Sequence, residues 1–132
     1  MMLSDVRDYV KSIRPSNPVY LGKLDIKQEQ AIGVYHSKHS HPPKTAIGGS
    51  RLESYGIKYV TLLVHWNHSM RDTEKAAREL FEALRQTREV TVNKEHVKFI
   101  QLLTDEPVDV GTDDDGIYEM VIEAAVVYAK GE

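Results

Sequence analysis

From Tyr118 to Tyr128 the side chains alternate. Tyr118, Met120, Ile122, Ala124, Val126 and Tyr128 fall on one side, and the other side carries Glu119 and Glu123. Successive side chains of a strand point to opposite faces, so this pattern predicts a long, half-buried strand rather than a helix. A strand of that length needs hydrogen-bonding neighbours on both edges and a second layer over its apolar face. The rest of the chain has to supply both.

The cover comes from two helical patterns. Thr73, Ala76, Ala77, Leu80, Phe81 and Leu84 recur at helical intervals behind Ser69, which with Asp72 approximates a capping box, Asp standing in for the usual Glu. Glu74 with Arg78, and Glu82 with Gln86, form the solvated face of this main helix. Leu3, Val6, Val10 and Ile13 mark a shorter helix with Ser4 or Asp5 near its start, closed by Pro15 and Pro18. Its apolar stripe is narrow, which suits a helix lying on the outside of something flat.

The neighbouring strands are equally readable. Val19–Leu21 and Ile32–Tyr35 form two short strands, and the polar residues 25–30 between them predict a turn and hence a hairpin. Gly33 inside the second strand predicts a bulge or close packing. Ile57–Trp66 carries apolar groups on both faces, the pattern of a central strand covered on both sides. Val90 and Val92 mark a short strand, and Asn93-Lys94-Glu95 is a tight connection into Val97–Leu103. The expected fold is therefore α+β. It is a two-layer sandwich of one long helix and an N-terminal helix on a mixed or antiparallel sheet, with a long loop at 36–54. At 132 residues the expectation is one domain, 1–132, without internal repeats.

Composition narrows the function classes. Hydrophobic residues make up 41% and charged residues 28%, an ordinary globular balance. A net charge of −3 disfavours a nucleic-acid surface, so no sequence-specific nucleic-acid partner is expected. The absence of cysteine excludes disulfides, thiolate catalysis and Cys-based zinc sites. No apolar run approaches the roughly 20 residues needed to span a bilayer, and the first residues lack the layout of a signal peptide, so no membrane partner is expected.

The segment 36–54 is the least regular. Pro42-Pro43 and Gly48-Gly49 disfavour both helix and central strand, and a connection of this length in a compact domain is usually functional or disordered. His39, His41, Pro42, Pro43, Lys44 and Arg51 in this segment are candidate contact residues. His36, His39 and His41 lie too irregularly to align two imidazoles on one helix face, and His65 and His68 straddle a strand end. Solvent-exposed histidines are the expectation, with no resident metal and no cofactor.

Asp113-Asp114-Asp115-Gly116 resembles the middle of a calcium loop. With Gly116 in the sixth position, however, Gly111 falls first and Ile122 twelfth, where an EF-hand needs acids. Asp-Gly before a strand reads instead as hairpin turn chemistry. The acidic tip from Asp105 to Gly116, with Asp113, Asp114 and Asp115 at its end, is a second candidate contact surface. No nucleophile elbow, Walker loop or dinucleotide glycine pattern is present, so no catalytic residues are expected. Trp66, the single tryptophan, ends an apolar strand and reads as core or core edge. Tyr20, Tyr35, Tyr55 and Tyr59 suit either core edge or subunit contact.

The wording of the acidic connection, Asp-Glu-Pro-Val-Asp-Val-Gly-Thr-Asp-Asp-Asp-Gly, resembles a family of minor capsid proteins from tailed bacteriophages. So do Val19-Tyr-Leu-Gly-Lys-Leu-Asp25 with Ile32-Gly-Val-Tyr35, and Leu62-Leu-Val-His-Trp-Asn67. The element order is also similar to that of tail-terminator and tail-completion proteins. The resemblance implies a structural virion protein at the head–tail junction or tail terminus, present in the host cytoplasm during assembly. It implies self-association into a ring, for instance a hexamer, and contact with neighbouring head, neck or tail proteins. Two alternatives remain at this point: a small metal- or ligand-binding module using the His-rich loop, and a metal-dependent hydrolase.

Overall fold

The structure is a computed structural model and describes residues 1–38 and 55–130. Among these residues the chain forms two helices and seven strands. In chain order they are α1 (Leu3–Ile13), β1 (Val19–Leu21), β2 (Ala31–His36), β3 (Tyr55–His65), α2 (Met70–Arg85), β4 (Arg88–Val92), β5 (Glu95–Leu102), β6 (Val108–Thr112) and β7 (Tyr118–Ala129). The strands make one mixed sheet in the order β1-β2-β3-β7-β5-β4, with β6 also on β7, and the expected α+β class is what forms.

The alternating strand is the axis of this sheet. β7 pairs antiparallel with β3 along its whole length, from Glu119 opposite His65 to Ala129 opposite Tyr55. Its other edge is shared, with β5 against the C-terminal half and β6 against the N-terminal half. Met120, Ile122, Ala124 and Val126 meet Val60, Leu62 and Val64 on one face, and both helices pack there. α2 buries the six predicted residues, Thr73, Ala76, Ala77, Leu80, Phe81 and Leu84. α1 lies across β1, β2 and β4 and buries Val6 and Val10.

The helix starts follow local chemistry. Ser69 Oγ accepts from Asp72 N at 3.2 Å, capping α2 as expected. The return half of the box is diverted, because Asp72 accepts from Asn67 Nδ2 while Asn67 Oδ1 accepts from Ser69 N. At α1 the Asp5 carboxylate accepts from Met2 N at 2.8 Å. Asp5 also accepts from Asn93 Nδ2 at 3.1 Å, which ties the helix to the β4–β5 turn. That turn is the predicted tight connection. Asn93 and Lys94 both have positive φ, as a two-residue hairpin of matching twist requires.

Three expectations are corrected. The first two strands are no hairpin: β1 runs parallel to β2, Val19 opposite Ile32 and Leu21 opposite Val34. After Leu21 the chain turns at Gly22, whose φ is +78°, and doubles back through residues 23–30, burying Leu24, before β2 begins. Polar residues between two short strands do not distinguish a hairpin from such a return. Second, the acidic connection contains β6, whose five residues are all exposed. A strand with no buried face has no alternation to read, and only the length of β7 gives it a partner. Third, β3 is central, but among the described residues helices cover one of its faces alone. Tyr59, Thr61 and Leu63 on the other face are half-buried, with Thr61 hydrogen-bonded to Glu123 directly opposite. Gly33 is a site of close packing rather than a bulge, because the Tyr35 ring lies over it.

Candidate functional site

The acidic segment folds into a hairpin whose turn is built by one aspartate. Asp113 N donates to Ile117 O, and Gly116 N donates to Asp113 O, enclosing Asp114, Asp115 and Gly116 in a three-residue loop. Gly116 has φ +80°, the left-handed residue that closes such a loop. Asp113 Oδ1 accepts from both Asp115 N and Ile117 N at 2.9 Å, the Asx arrangement that preorganises a turn. Upstream, Gly111 at φ +88° takes the register shift between Asp109 and Gly111. Its N–H donates to Asp109 Oδ1 at 2.8 Å.

The three aspartates therefore do different things. Asp114 and Asp115 are exposed at the tip, while Asp113 turns inward. Its second oxygen, Oδ2, is buried and has no hydrogen-bond partner among the described residues. His65 Nδ1 lies 3.9 Å from it. His65 is itself fully buried at the end of β3. Its Nδ1 lies 2.8 Å from Glu119 Oε2 on β7, and its Nε2 lies 3.0 Å from the Ile26 carbonyl oxygen. One imidazole thus joins the end of β3, the start of β7, the β6–β7 turn and the return between β1 and β2.

Beside this cluster runs an open edge. Among the described residues β6 pairs with β7 on one side only, and its exposed residues include two large apolar side chains, Val108 at 41% and Val110 at 51%. Natural sheets usually blunt such edges, since unpaired N–H and C=O groups invite another strand. The segment leading to it is anchored by Leu103 N donating to Glu123 O and by Pro107, which is buried. The Arg78–Glu106 ion pair at 2.9 Å is exposed on both partners and adds little.

The model of bacteriophage tail terminator proteins matches residues 5–130. The chain belongs to this family. No curated protein matches it significantly. A tail terminator is a structural protein of the phage tail, and the match agrees with the sequence resemblance.

For a tail terminator the predicted contact residues divide into two groups. Asp113, Asp114 and Asp115 lie together on the β6–β7 turn. His39, His41, Pro42, Pro43, Lys44 and Arg51, in the segment expected to be a loop, lie outside the described residues. His36 is an exposed residue of β2 rather than the start of a loop, and His68 is exposed beside Gly116. The cluster of His65, Asp113 and Glu119 was missed by sequence reasoning, which took the histidines for exposed. One signal was available: His65 shares a strand face with Ile57, Tyr59 and Leu63 and so falls within the sheet. Among the described residues no helix is long and apolar enough to cross a membrane.

Proposed function

We propose that this tail protein closes the end of the phage tail where it meets the head, as a ring of identical subunits. The open, partly apolar edge of β6 is the observation that carries this reading. β1 and β6 lie on opposite borders of the sheet, so a contact of β6 on one copy with β1 on the next is heterologous, and such a contact closes into a ring when its rotation permits. A hexamer is one size that such a ring can take. The subunits assemble in the host cytoplasm and remain in the virion, with no catalytic role.

In this reading the segment 39–54, through His39, His41, Pro42, Pro43, Lys44 and Arg51, and the acidic tip, through Asp114 and Asp115, contact neighbouring head, neck or tail proteins. Light scattering behind size exclusion, over a range of concentrations, tests the ring. A discrete closed oligomer supports it, and a monomer at every concentration refutes self-assembly by this edge. Deleting residues 39–47 tests the loop, whose proposed role fails if assembly and infectivity are unchanged.

A further inference from the structure

We propose that His65, Asp113 and Glu119 form a binding site for one divalent transition-metal ion, with Zn2+ the ion their donor set fits best. The proposal does not depend on how the subunits assemble. One ligand atom from each residue lies within 4.8 Å of the other two. The residues come from three separate parts of the fold: the end of β3, the β6–β7 turn and the start of β7.

The hydrogen-bonding pattern supports a cation here. Ile26 O can only accept, so His65 Nε2 carries a hydrogen and the ring's remaining coordination is through Nδ1. A metal-binding histidine is commonly oriented in this way, donating its other N–H to a backbone carbonyl. Nδ1 faces the Glu119 carboxylate at 2.8 Å and the Asp113 carboxylate at 3.9 Å. Both carboxylates thus face one ring nitrogen, and among the described residues Asp113 Oδ2 is buried without a hydrogen bond. A divalent ion between the three donors balances both carboxylates and gives Oδ2 a partner.

The dimensions are compatible. A tetrahedral ion with bonds of about 2.1 Å holds its ligand atoms about 3.4 Å apart, so side-chain shifts of about 1 Å bring the three donors to that spacing. One imidazole with two carboxylates suits Zn2+ and its neighbours in the first transition row, whereas Ca2+ and Mg2+ prefer oxygen-only shells. The imidazole is fully buried, but the two carboxylate side chains keep 17% and 19% of their surface exposed, which gives an ion a way in. Bound there, the ion would pin the hairpin turn to the end of β3.

Calorimetric titration of the full chain with ZnCl2, then with MgCl2 and CaCl2, tests the site. One Zn2+ per chain is expected, with Mg2+ and Ca2+ at least tenfold weaker. Asp113→Asn keeps the Oδ1 acceptor that builds the turn and removes the charge; Glu119→Gln keeps a hydrogen-bonding group beside the ring. Each should weaken Zn2+ binding by about tenfold or more. Circular dichroism confirms that each variant is folded. A triple change of His36, His39 and His41 to Gln should leave this binding intact. Absence of Zn2+ binding, or binding that survives both carboxylate changes in folded protein, overturns the proposal. So does binding abolished by the triple change.

Discussion

His65 on β3 and Glu119 on β7 lie directly opposite each other in the sheet, with the imidazole Nδ1 2.8 Å from Glu119 Oε2. The histidine is fully buried, so its polar atoms must be satisfied within the fold. Replacing Glu119 by Ala removes that partner and should destabilise the protein by about 1–3 kcal/mol. Glu119→Gln retains a hydrogen-bonding group and should cost less. Urea denaturation of both variants without added metal reads the difference, and equal midpoints would show that the contact is dispensable.

The exposed edge of β6 separates assembly from stability. Val110 is half exposed, so Val110→Lys should change folding stability by no more than about 0.5 kcal/mol. A charged side chain on an open edge discourages pairing with another strand. The oligomer mass at a fixed concentration should therefore fall while the thermal midpoint stays put. An unchanged mass would mean that copies do not meet along this edge.

Gly111 isolates a backbone effect. A Cβ there meets nothing within 4 Å, yet φ is +88°. Gly111→Ala should thus cost about 1–2 kcal/mol through backbone strain alone, with no steric component. A chemical-denaturation midpoint reads the cost. A neutral substitution would show that the bulge relaxes to a conformation alanine accepts.

Asp8 gives a pH dependence of defined sign. A hydrogen bond from Asn93, and then one from Arg7, hold its carboxyl below the ordinary value of 3.8. A carboxylate lowered on folding stabilises the protein above its unfolded value, and that contribution disappears as pH falls through the lower folded value. Wild type should therefore exceed Asp8→Asn in stability at neutral pH, and the gap should close below about 3.8, the carboxyl's ordinary value. The side chain is 42% exposed, so the gap should stay below about 1 kcal/mol. Melting curves across pH 2–7 check this, and a gap that widens in acid would reverse the assigned sign.

The core offers a larger effect. Ile122 is fully buried on the helical face of β7, opposite Leu62. Ile122→Ala should cost about 2–5 kcal/mol from lost burial and the cavity left behind. A guanidinium titration showing under about 1 kcal/mol would mean that the two layers collapse onto the gap.

Local periodicity was enough to find β7, α2 and the β4–β5 hairpin. In each, the residues that specify the element are neighbours in sequence: alternation from Tyr118 to Tyr128, the apolar stripe behind Ser69, and Asn93-Lys94 between two strands. Trp66 was also legible as core, since it closes an apolar strand, and it is buried with Arg14 stacked over its ring. The direction of β1 was not. Hairpin and parallel return share the same two apolar triplets, and the choice rests on how residues 23–30 double back and on α1 packing across both strands. β6 has no buried face of its own and exists because β7 extends beyond β5. The cluster of His65, Asp113 and Glu119 depends on the same long-range pairing, which places Glu119 opposite a residue 54 positions earlier. Sequence alone determined the class of fold and the family of tail proteins. Which strand edges stay open, and which polar groups are buried together, was decided by tertiary pairing, because those properties belong to contacts between segments rather than to any one of them.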